Sequence, residues 1–397
     1  MSRRVIIAGA GPAGASLAAL LATRGCDVLL VERELTFERA FRGEVLMPDG
    51  VDALRQIGVW SRIAQLPHAV VPCMELFVNG CRVMRADWNE LAGDNAARVF
   101  SQPAVLAVLV QHAAAAGRFE VRMGTALHAI EIAATHVDVV LRSASGDTTE
   151  RADVLVGADG RASTTRALAA LTLERFDFPV EIAWLSLPAP ETQRLDPRFQ
   201  AFSARDGFLV LYPSWDGRLR AGVPVPRGSE WSKTAILDRL AAIAGEPYAS
   251  LARDNAASIS EPIRLKVLVG RTPRWSDHRV LLVGDAAHPM APVRAQGVNL
   301  ALRDAIVAAN HIVRASESAN GAAIDAALAR VQQEREPEVM AIQRLQHQAL
   351  AVPFPMRSAL LRTTLLPVLR RAGVMKRVML KSERPFRHGT TEVKLAV

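Results

Sequence analysis

The chain has 397 residues, half of them hydrophobic and 22% charged, a composition that excludes a disordered chain. Lysine and arginine number 48 against 40 aspartate and glutamate, a formal charge of +8, and only five of the 48 are lysines. This surplus predicts an anionic partner: nucleic acid, a membrane lipid or a phosphorylated cofactor. The length predicts two domains, and no apolar run reaches the roughly 18 residues of a transmembrane helix. Three cysteines without disulfide or metal spacing favour the cytoplasm and no metal site.

The first block of the chain alternates strand, helix and strand. Val5–Ala8 predicts a short buried strand, and Pro12–Arg24 predicts an Ala- and Leu-rich helix that ends at Gly25. Val28–Val31 predicts a second buried strand, and Glu32 follows it. Unbroken apolar strands separated by a helix are typical of a parallel sheet covered on both faces.

The later segments alternate between strand-rich and helical patterns. In chain order we expect a hairpin over Val70–Trp88 that turns at Asn79-Gly80, a helix over residues 98–117, three strands between His128 and Val156, β-rich structure over residues 176–265, a buried strand over Val280–Val283 and a helix over residues 297–315. The remaining C-terminal part is predicted to be helical and basic. Together these elements predict an α/β fold in which nucleotide-binding segments and antiparallel strands are interleaved.

A glycine-rich motif, Gly9-Ala10-Gly11-Pro12-Ala13-Gly14, separates the first strand from the first helix. Its first glycine permits a tight turn, its second lets the backbone approach a pyrophosphate, and its third lets helix and strand pack closely. The helix N-terminus attracts phosphate, and Glu32, 18 residues after Gly14, is placed to accept hydrogen bonds from ribose hydroxyls. A ligand-free glycine turn is the simpler alternative, but strand, helix and acid in register favour NAD or FAD without choosing between them.

Two further motifs place an aspartate directly after a strand. These are Asp159 in Gly157-Ala158-Asp159-Gly160 and Asp285 in Gly284-Asp285-Ala286-Ala287-His288. Ligands of open α/β sheets bind at such strand ends, although an ordinary turn capped by aspartate explains either motif alone. The second motif continues through residues 292–299 into a helix, whose N-terminus is suited to stabilise a developing anion.

The order of GAGPAG with Glu32, then GADG, then GDAAH followed by QGVN resembles the FAD-dependent aromatic hydroxylases typified by p-hydroxybenzoate hydroxylase. The resemblance covers residues 1–315 and implies a Rossmann-type FAD-binding domain interleaved with a β-sheet substrate domain. The implied FAD-binding domain comprises residues 1–69, 98–175 and 266–340, the substrate-binding domain residues 70–97 and 176–265, and a helical C-terminal region residues 341–397.

The resemblance also implies a set of cofactor-binding residues. Arg42 is expected to reach both FAD and the nicotinamide donor, and Gln102 stands where the family has an Arg or Gln that touches the flavin. Asp285 matches the ribityl-binding aspartate, and Asp159 matches an aspartate that serves both cofactors. The full implied set is Gly9, Gly11, Pro12, Ala13, Gly14, Glu32, Arg33, Arg42, Gln102, Asp159, Gly284, Asp285, Pro292, Gly297, Val298 and Asn299.

One position departs from the family pattern. The family has glycine immediately before Gln296, whereas this chain has Ala295, preceded by Arg294. We therefore expect a charged side chain near the flavin or the substrate, unless Arg294 turns away to solvent.

The chemistry that the resemblance implies is monooxygenation. NADH or NADPH reduces FAD, dioxygen adds to give a C4a-hydroperoxyflavin, and one oxygen atom is transferred to an aromatic or similarly electron-rich small molecule. No catalytic residue of the protein is required by this scheme, and none is assigned. His288 as a base and Tyr212 as a pocket residue are alternatives to simple packing roles.

Other flavoproteins share parts of these motifs. A flavin-dependent halogenase needs an early catalytic lysine, and the first lysine here is Lys233, which excludes that class. A geranylgeranyl-reductase-like enzyme stays an alternative, with Leu211–Trp215 a faint match to its substrate motif. A redox-silent protein that carries FAD or a prenyl chain is a third.

The C-terminal region alternates basic and apolar residues at helical spacing. Such a helix can lie on an anionic membrane or cover a substrate channel, but we favour a helix that packs on the flavin domain with solvated charges. Nucleic acid is disfavoured, since no binding motif accompanies the charge. The basic residues concerned are Arg357, Arg362, Arg370, Arg371, Lys376, Arg377 and Lys381. The sequence does not indicate an oligomeric state.

Overall fold

A computed structural model describes residues 3–38, 44–90, 94, 96–204, 207–315, 321–349 and 374–397. The strands within them are β1 Arg4–Ala8, β2 Asp27–Glu32, β3 Val45–Leu46, β4 His68–Val71, β5 Cys73–Val78, β6 Cys81–Asp87, β7 Ala97–Phe100, β8 Phe119–Met123, β9 Ala126–Ile132, β10 Val137–Ser143, β11 Gly146–Ala152, β12 Val154–Gly157, β13 Glu174–Phe176, β14 Val180–Pro188, β15 Arg198–Ala204, β16 Gly207–Pro213, β17 Arg218–Pro226, β18 Ile263–Leu265, β19 Val269–Arg271, β20 Ser276–Asp277 and β21 Val280–Leu282.

The helices alternate with these strands along the chain. They are α1 Pro12–Ala22, α2 Pro48–Ile57, α3 Trp60–Ile63, α4 Gln102–Ala114, α5 Thr164–Leu168, α6 Glu191–Leu195, α7 Lys233–Ala244, α8 Tyr248–Asp254, α9 Gln296–Ala315, α10 Gly321–Ala349 and α11 Val374–His388. Short 3-10 turns occur at Trp88–Glu90 and Gly284–Ala286.

A six-stranded sheet in the described chain has the order β20-β21-β12-β1-β2-β8. Its strands are parallel except for the antiparallel edge pair β20–β21. Side chains of α1, α4 and α9 pack against one face, and the β9–β11 sheet contributes to the core on the other face. Coverage on both faces explains why β1 and β2 are almost uninterrupted apolar runs. The predicted Rossmann-type sheet is confirmed.

A second, mainly antiparallel sheet is interleaved with the first. It has the order β18-β14-β17-β16-β15-β5-β6 in the described chain, with β15 and β5 parallel. The predicted hairpin is confirmed: β5 and β6 turn at Asn79 (φ 47°) and Gly80 (φ 75°). Positive φ at both turn residues matches the right-handed twist of the flanking strands, which is why Asn-Gly suits this turn. Helices α7 and α8 cover one face of this sheet.

Two element predictions are wrong in detail. Residues 98–100 belong to β7 rather than to a helix, and β7 pairs with both β3 and β4. The helix begins only at Gln102. Pro103 lies in its first turn, which suits proline because an amide at that position would have no hydrogen-bond partner within the helix. The meander contains three strands before residue 153, but Val154–Gly157 forms a fourth strand, β12, which joins the parallel sheet beside β1.

Among the described residues of the C-terminal part, α10 extends to Ala349 and α11 covers Val374–His388. Helix α11 buries Glu383, Phe386 and Arg387, whereas Lys381 is exposed. Residues 389–397 are irregular and bind the flavin-domain helices through backbone atoms: Asn310 of α9, for example, bonds to Lys394 and Ala396. The predicted boundary at residue 341 falls inside α10, and the domain division stays a prediction. The predicted basic residues Arg357, Arg362, Arg370 and Arg371 lie outside the described residues.

Candidate functional site

The turn between β1 and α1 contains two glycines that leave no room for a side chain. Gly9 has φ +100°, and a Cβ there would lie 2.5 Å from the carbonyl oxygen of Ala158. A Cβ on Gly14 would lie 1.9 Å from the carbonyl oxygen of Gly9. Gly11 differs, because its φ is −72° and no non-neighbouring atom of the described chain lies within 4 Å of a Cβ placed there. The space beside Gly11 is therefore open to a ligand.

The N-terminus of α1 opens onto this space. No side chain of the described protein caps it, and its first turn holds no acidic residue. Amide groups at a helix N-terminus carry a partial positive charge and bind phosphate groups. Pro12 occupies the first turn, and Ala13 packs against the Gly284 turn, where a Cβ would lie 3.1 Å from the Ala13 methyl group. An open glycine beside an uncapped helix fits the pyrophosphate of FAD.

Glu32 ends β2 beside the same turn and is 4% exposed. Its carboxylate accepts hydrogen bonds from the amides of Ala10 (2.9 Å) and Glu34 (3.1 Å). A carboxylate at this strand end is placed to accept hydrogen bonds from ribose hydroxyls. Arg33 is directed to the surface instead: its Nε lies 3.2 Å from the Glu34 carboxylate, and 68% of its side chain is exposed.

Asp159 follows β12, and its carboxylate is engaged within its own turn. One oxygen accepts a short hydrogen bond from the Ser163 hydroxyl. The other accepts from the amide (2.8 Å) and the hydroxyl (3.0 Å) of Thr165. The side chain therefore organises the start of α5, as the alternative of an aspartate-capped turn describes. Its contact with a cofactor stays a prediction.

Asp285 stands at the end of β21, beside the start of α9. Its carboxylate lies 3.1 Å from Nε of Arg161, and about a third of its side chain is exposed. A Cβ placed on Gly297 would lie 3.9 Å from Oδ1 of Asp285. Gly284 adopts φ +60°, a left-handed conformation that glycine takes without strain, and its amide donates to Asp304 (3.0 Å). The chain thus brings Asp285 and Gly297, predicted from separate motifs, next to each other.

The segment before α9 has an unusual backbone. Arg294 and Ala295 both have positive φ values, 58° and 53°. For a residue with a side chain, the left-handed region costs about 1–2 kcal/mol, which explains why the family has glycine before Gln296. The Gln296 side chain, 1% exposed, donates to the carbonyl oxygens of Arg294 (2.9 Å) and Phe386 (2.8 Å) and so ties this turn to α11.

Asn299 is fully buried and faces the protein rather than the open side of the turn. Its Oδ1 accepts from the Met47 amide at 3.0 Å, and its Nδ2 donates to the carbonyl oxygens of Ala295 (2.6 Å) and Val45 (3.3 Å). Gly50 leaves space for it, because a Cβ on Gly50 would lie 2.0 Å from Asn299 Oδ1. This side chain joins β3 to α9, and any contact with a cofactor falls to its backbone.

Arg294 is directed to α11, with about a quarter of its side chain exposed. Its guanidinium pairs with Glu383 of α11 and lies 4.8 Å from the ring centroid of Phe386. Burial lowers the pKa of Arg294 to about 10. This arginine therefore holds α11 against the α9 turn, and its nearness to the flavin or the substrate stays a prediction.

Several predicted residues line a small apolar cavity of about 10 Å³. Pro12, Gln102 and Val298, which come from three different segments, all line it. Gln102, only 7% exposed, is held there as the first residue of α4. The remaining lining residues are Glu44, Leu46, Phe100, Val105, Leu106, Leu109 and Leu302. Sequence reasoning missed these, since apolar residues at helical spacing look like ordinary core.

Glu44 connects this cavity to the seven-stranded, mainly antiparallel sheet that contains β17. It forms a buried ion pair with Arg220 of β17 at 3.2 Å, and Arg220 also pairs with Asp216 at 2.9 Å. Burial raises the pKa of Glu44, and Arg220 opposes the shift. Arg42, two residues before Glu44, lies outside the described residues, so its predicted contact with FAD and the nicotinamide donor stays a prediction.

Aromatic side chains from the seven-stranded sheet and from the 3-10 turn after β6 pack near the turn before α9. Phe199 lies 6.0 Å from Trp88 and 5.1 Å from Tyr212, and Trp184 lies 6.0 Å from Tyr212, all between ring centroids. Ala295 packs against the same group. We call Trp88, Trp184, Phe199 and Tyr212 the aromatic cluster. Tyr212 therefore packs in a hydrophobic core, as the simpler alternative for this residue describes, and burial raises its pKa.

His288 belongs to a buried ionic network behind the Asp285 turn. Its Nε2 lies 2.7 Å from Asp304, which also pairs with Arg335 at 2.8 Å. Arg335 pairs in turn with Glu338, and Glu338 pairs with Arg303 at 2.9 Å. Burial alone would raise the pKa of Asp304, but the charges of His288 and Arg335 hold it well below its usual range. His288 is 1% exposed, and its ring is tilted by 37° against that of Trp275, so it supports the turn and is not placed to act as a base.

Other classes of site find no support within the described ranges. No group of three or more His, Cys, Asp or Glu side chains there is arranged to hold a metal ion. Within the same ranges, every helix is too short or too polar to cross a membrane.

Comparison with known proteins identifies relatives of this chain. A family model described as FAD binding domain matches residues 2–346. The 6-methylpretetramide 4-monooxygenase of Streptomyces rimosus is 31% identical over 312 residues, which cover 77% of this chain and 73% of the relative. The 3-amino-4-hydroxybenzoate 2-monooxygenase of Streptomyces cremeus is 28% identical, with 76% of each chain covered.

Solved structures have the same fold. The p-nitrophenol 4-monooxygenase PnpA of Pseudomonas putida superposes with a TM-score of 0.82 at 19% identity, covering 99% of both chains. PqsL of P. aeruginosa, in complex with 2-aminobenzoylacetate, gives a TM-score of 0.76 at 23% identity and covers 88% of this chain and 97% of its own. The relatives named here are monooxygenases, so the reductase alternative is not favoured. The chain belongs to the FAD binding domain family and is an FAD-dependent monooxygenase.

Proposed function

We propose that the protein uses NADH or NADPH and dioxygen to hydroxylate an electron-rich aromatic small molecule in the cytoplasm. The observation that carries the proposal is the contrast within the first turn: Gly9 and Gly14 are closed by the protein itself, whereas Gly11 faces open space at an uncapped helix N-terminus. That arrangement suits a dinucleotide pyrophosphate. Three free cysteines, Cys26, Cys73 and Cys81, support a reducing compartment.

In this proposal, separate segments hold separate parts of FAD. Gly11 and the first turn of α1 bind the pyrophosphate, and Glu32 accepts from the adenosine ribose. Asp285 accepts from the ribityl chain, since its carboxylate is partly exposed and lies beside Gly297. The ring system is bound between the turn at residues 292–298 and Gln102.

FAD supplies the redox chemistry and the activation of dioxygen, so the protein needs no nucleophile. Its own residues exclude water and orient the substrate. The aromatic cluster offers flat apolar surfaces for an aromatic ring beside Ala295, on the substrate-sheet side of the α9 turn. The Glu44–Arg220 ion pair closes the neighbouring wall while each charge keeps a partner.

The proposed reaction is tested by supplying the purified holoenzyme with NADH or NADPH, an aromatic panel and isotope-labelled dioxygen. We expect one panel member to accelerate NAD(P)H oxidation and to yield a product that carries one labelled oxygen atom. Hydrogen peroxide as the only oxygen product throughout the panel, with no label in any organic product, would contradict hydroxylation.

Replacing Asp285 with alanine is expected to reduce FAD retention strongly, because the ribityl hydroxyls lose a charged acceptor. The measurement is the visible flavin absorbance per mole of purified protein. Asp277→Ala, which removes the nearby partner of Arg274, serves as a control and should retain FAD. Full retention by Asp285→Ala would remove the assignment of Asp285 to the cofactor.

A further inference from the structure

A buried arginine of the C-terminal helix has no hydrogen-bond acceptor or ion-pair partner among the described residues. Arg387 of α11 has 0% of its surface exposed, and its guanidinium carbon lies 3.9 Å from the ring centroid of Trp88. Within the described chain, none of its three guanidinium nitrogens has a hydrogen-bond acceptor. The aromatic face satisfies one side of the cation, but the N–H groups around its edge have nothing to donate to.

Such an arrangement is costly in a folded protein. A buried cation is ordinarily compensated by a carboxylate and by hydrogen bonds. Burial lowers the pKa of Arg387 to about 9, and Asp49 and Asp94 oppose this shift through space without forming an ion pair with it. Asp94 is already paired with Arg98. Arg335, equally buried, has two carboxylate partners, so this fold does provide counterions for other buried arginines.

The unsatisfied buried groups near Arg387 include donors and an acceptor, since Oδ2 of Asp49, which acts on Arg387 through space, also lacks a partner in the described chain. The indole N–H groups of Trp88 and Trp184 are also buried without an acceptor in the described chain. Both tryptophans belong to the aromatic cluster, whose other members, Phe199 and Tyr212, connect them. A ligand that fits this environment brings a flat ring for the aromatic faces and oxygen acceptors for the N–H donors. A carboxylate matches a guanidinium best, because it accepts two parallel N–H bonds.

The helix that carries Arg387 is fixed to the candidate flavin site. Glu383 pairs with Arg294, and the carbonyl oxygen of Phe386 accepts from Gln296 at 2.8 Å. Both partners belong to the turn before α9, where FAD is proposed to bind. Arg387 is thus held at a defined place beside that turn.

We propose that Arg387 and the aromatic cluster bind the carboxylate and the ring of an aromatic acid, the substrate class of this enzyme. This inference rests on the proposed function, because it places that acid beside the proposed flavin position. It assigns the C-terminal helix a direct part in substrate recognition.

The test compares acids with their uncharged amides in the oxidised holoenzyme, without NAD(P)H. The probes are 3-amino-4-hydroxybenzoate against its amide and 2-naphthoate against 2-naphthamide, with Kd from equilibrium dialysis. A charge-assisted bond predicts that the acid of at least one pair binds about ten- to hundredfold more tightly than its amide. Equal or weaker binding of the acid in both pairs, or no binding of either acid, overturns the proposal.

Substitutions of Arg387 test whether this residue causes the preference for the acid over its amide. Arg387→Met should abolish the preference for the acid over its amide. The same variant should raise the Tm measured in the absence of the acid, because a buried charge without a counterion is removed. Arg387→Lys should keep part of the preference. Arg384→Met, which removes an exposed charge from the same helix, is the matched control and should leave it unchanged. A preference retained by Arg387→Met would overturn the assignment, and if that variant does not fold, the wild-type acid and amide pairs still decide.

The binding measurement is independent of turnover. If acids bind preferentially through Arg387 but no labelled product forms, hydroxylation fails and the anion site stands. If labelled product forms from a neutral aromatic while the acids show no preference, hydroxylation stands and the anion site fails.

Discussion

Replacing Gly14 with alanine is expected to destabilise the protein by about 3 kcal/mol and to abolish FAD retention. The added Cβ would lie 1.9 Å from the carbonyl oxygen of Gly9, and this neighbour is backbone that cannot move by a side-chain rotation. Helix α1 must therefore shift away from β1, although nearly all of α1 is buried. Chemical denaturation and the flavin absorbance of the purified protein measure the two effects.

Gly11→Ala is the informative comparison. Its Cβ meets no non-neighbouring atom of the described chain within 4 Å, and its φ of −72° suits alanine. We expect the FAD-free variant to lose at most about 1 kcal/mol, the usual cost of alanine at a helix N-cap. Its affinity for FAD should fall at least about tenfold, equivalent to about 1.4 kcal/mol, because the methyl group occupies the space proposed for the pyrophosphate. Unchanged FAD affinity would contradict that placement.

Replacing Arg335 with methionine is expected to lower the free energy of unfolding by about 3–5 kcal/mol, because it leaves buried carboxylates without their cation. Asp304 and Glu338 both pair with Arg335, and all three side chains are fully buried. Urea unfolding at neutral pH measures the loss. Arg142→Met, which breaks an exposed pair with Asp147, is the control and should leave the Tm unchanged. A loss as small as that of the control would mean that the network does not support the fold.

The same network predicts an acid dependence. The folded-state pKa of Asp304 lies below its unfolded value of about 3.9, so its contribution is fully present above that pH and is lost as the pH falls further. Unfolding free energies measured between neutral pH and about pH 3 should therefore decrease more steeply for the wild type than for Asp304→Asn. Parallel pH profiles would show that Asp304 is not the group responsible.

Local sequence patterns were sufficient for the dinucleotide turn. The glycines at positions 9, 11 and 14 act within one turn, and each requirement is a property of backbone conformation or of contact between adjacent elements. The hairpin at Asn79-Gly80 was predictable for the same reason. The helix predicted at residues 98–100 was wrong because pairing of β7 with β3 and β4 overrides local propensity.

Local sequence patterns could not predict the hydrogen-bond and ion-pair partners of side chains that are distant in the chain. The side chain of Asn299, for example, bonds to the backbone at residues 45–47, more than 250 positions away, while its place beside a cofactor stays a prediction. Arg303, Asp304 and Arg335 look like solvated helix charges in the sequence but form a buried network.

The sequence by itself determined the cofactor class and the order of the nucleotide-binding elements, because glycine conformation and helix polarity are local properties. Only the tertiary structure decided that Arg294 pairs with Glu383 and that Arg387 lies unpartnered on Trp88. Whether a charge is solvated, paired or left for a ligand depends on the residues that pack around it. Glu383 lies about 90 positions from Arg294 in the chain, and Trp88 lies about 300 positions from Arg387.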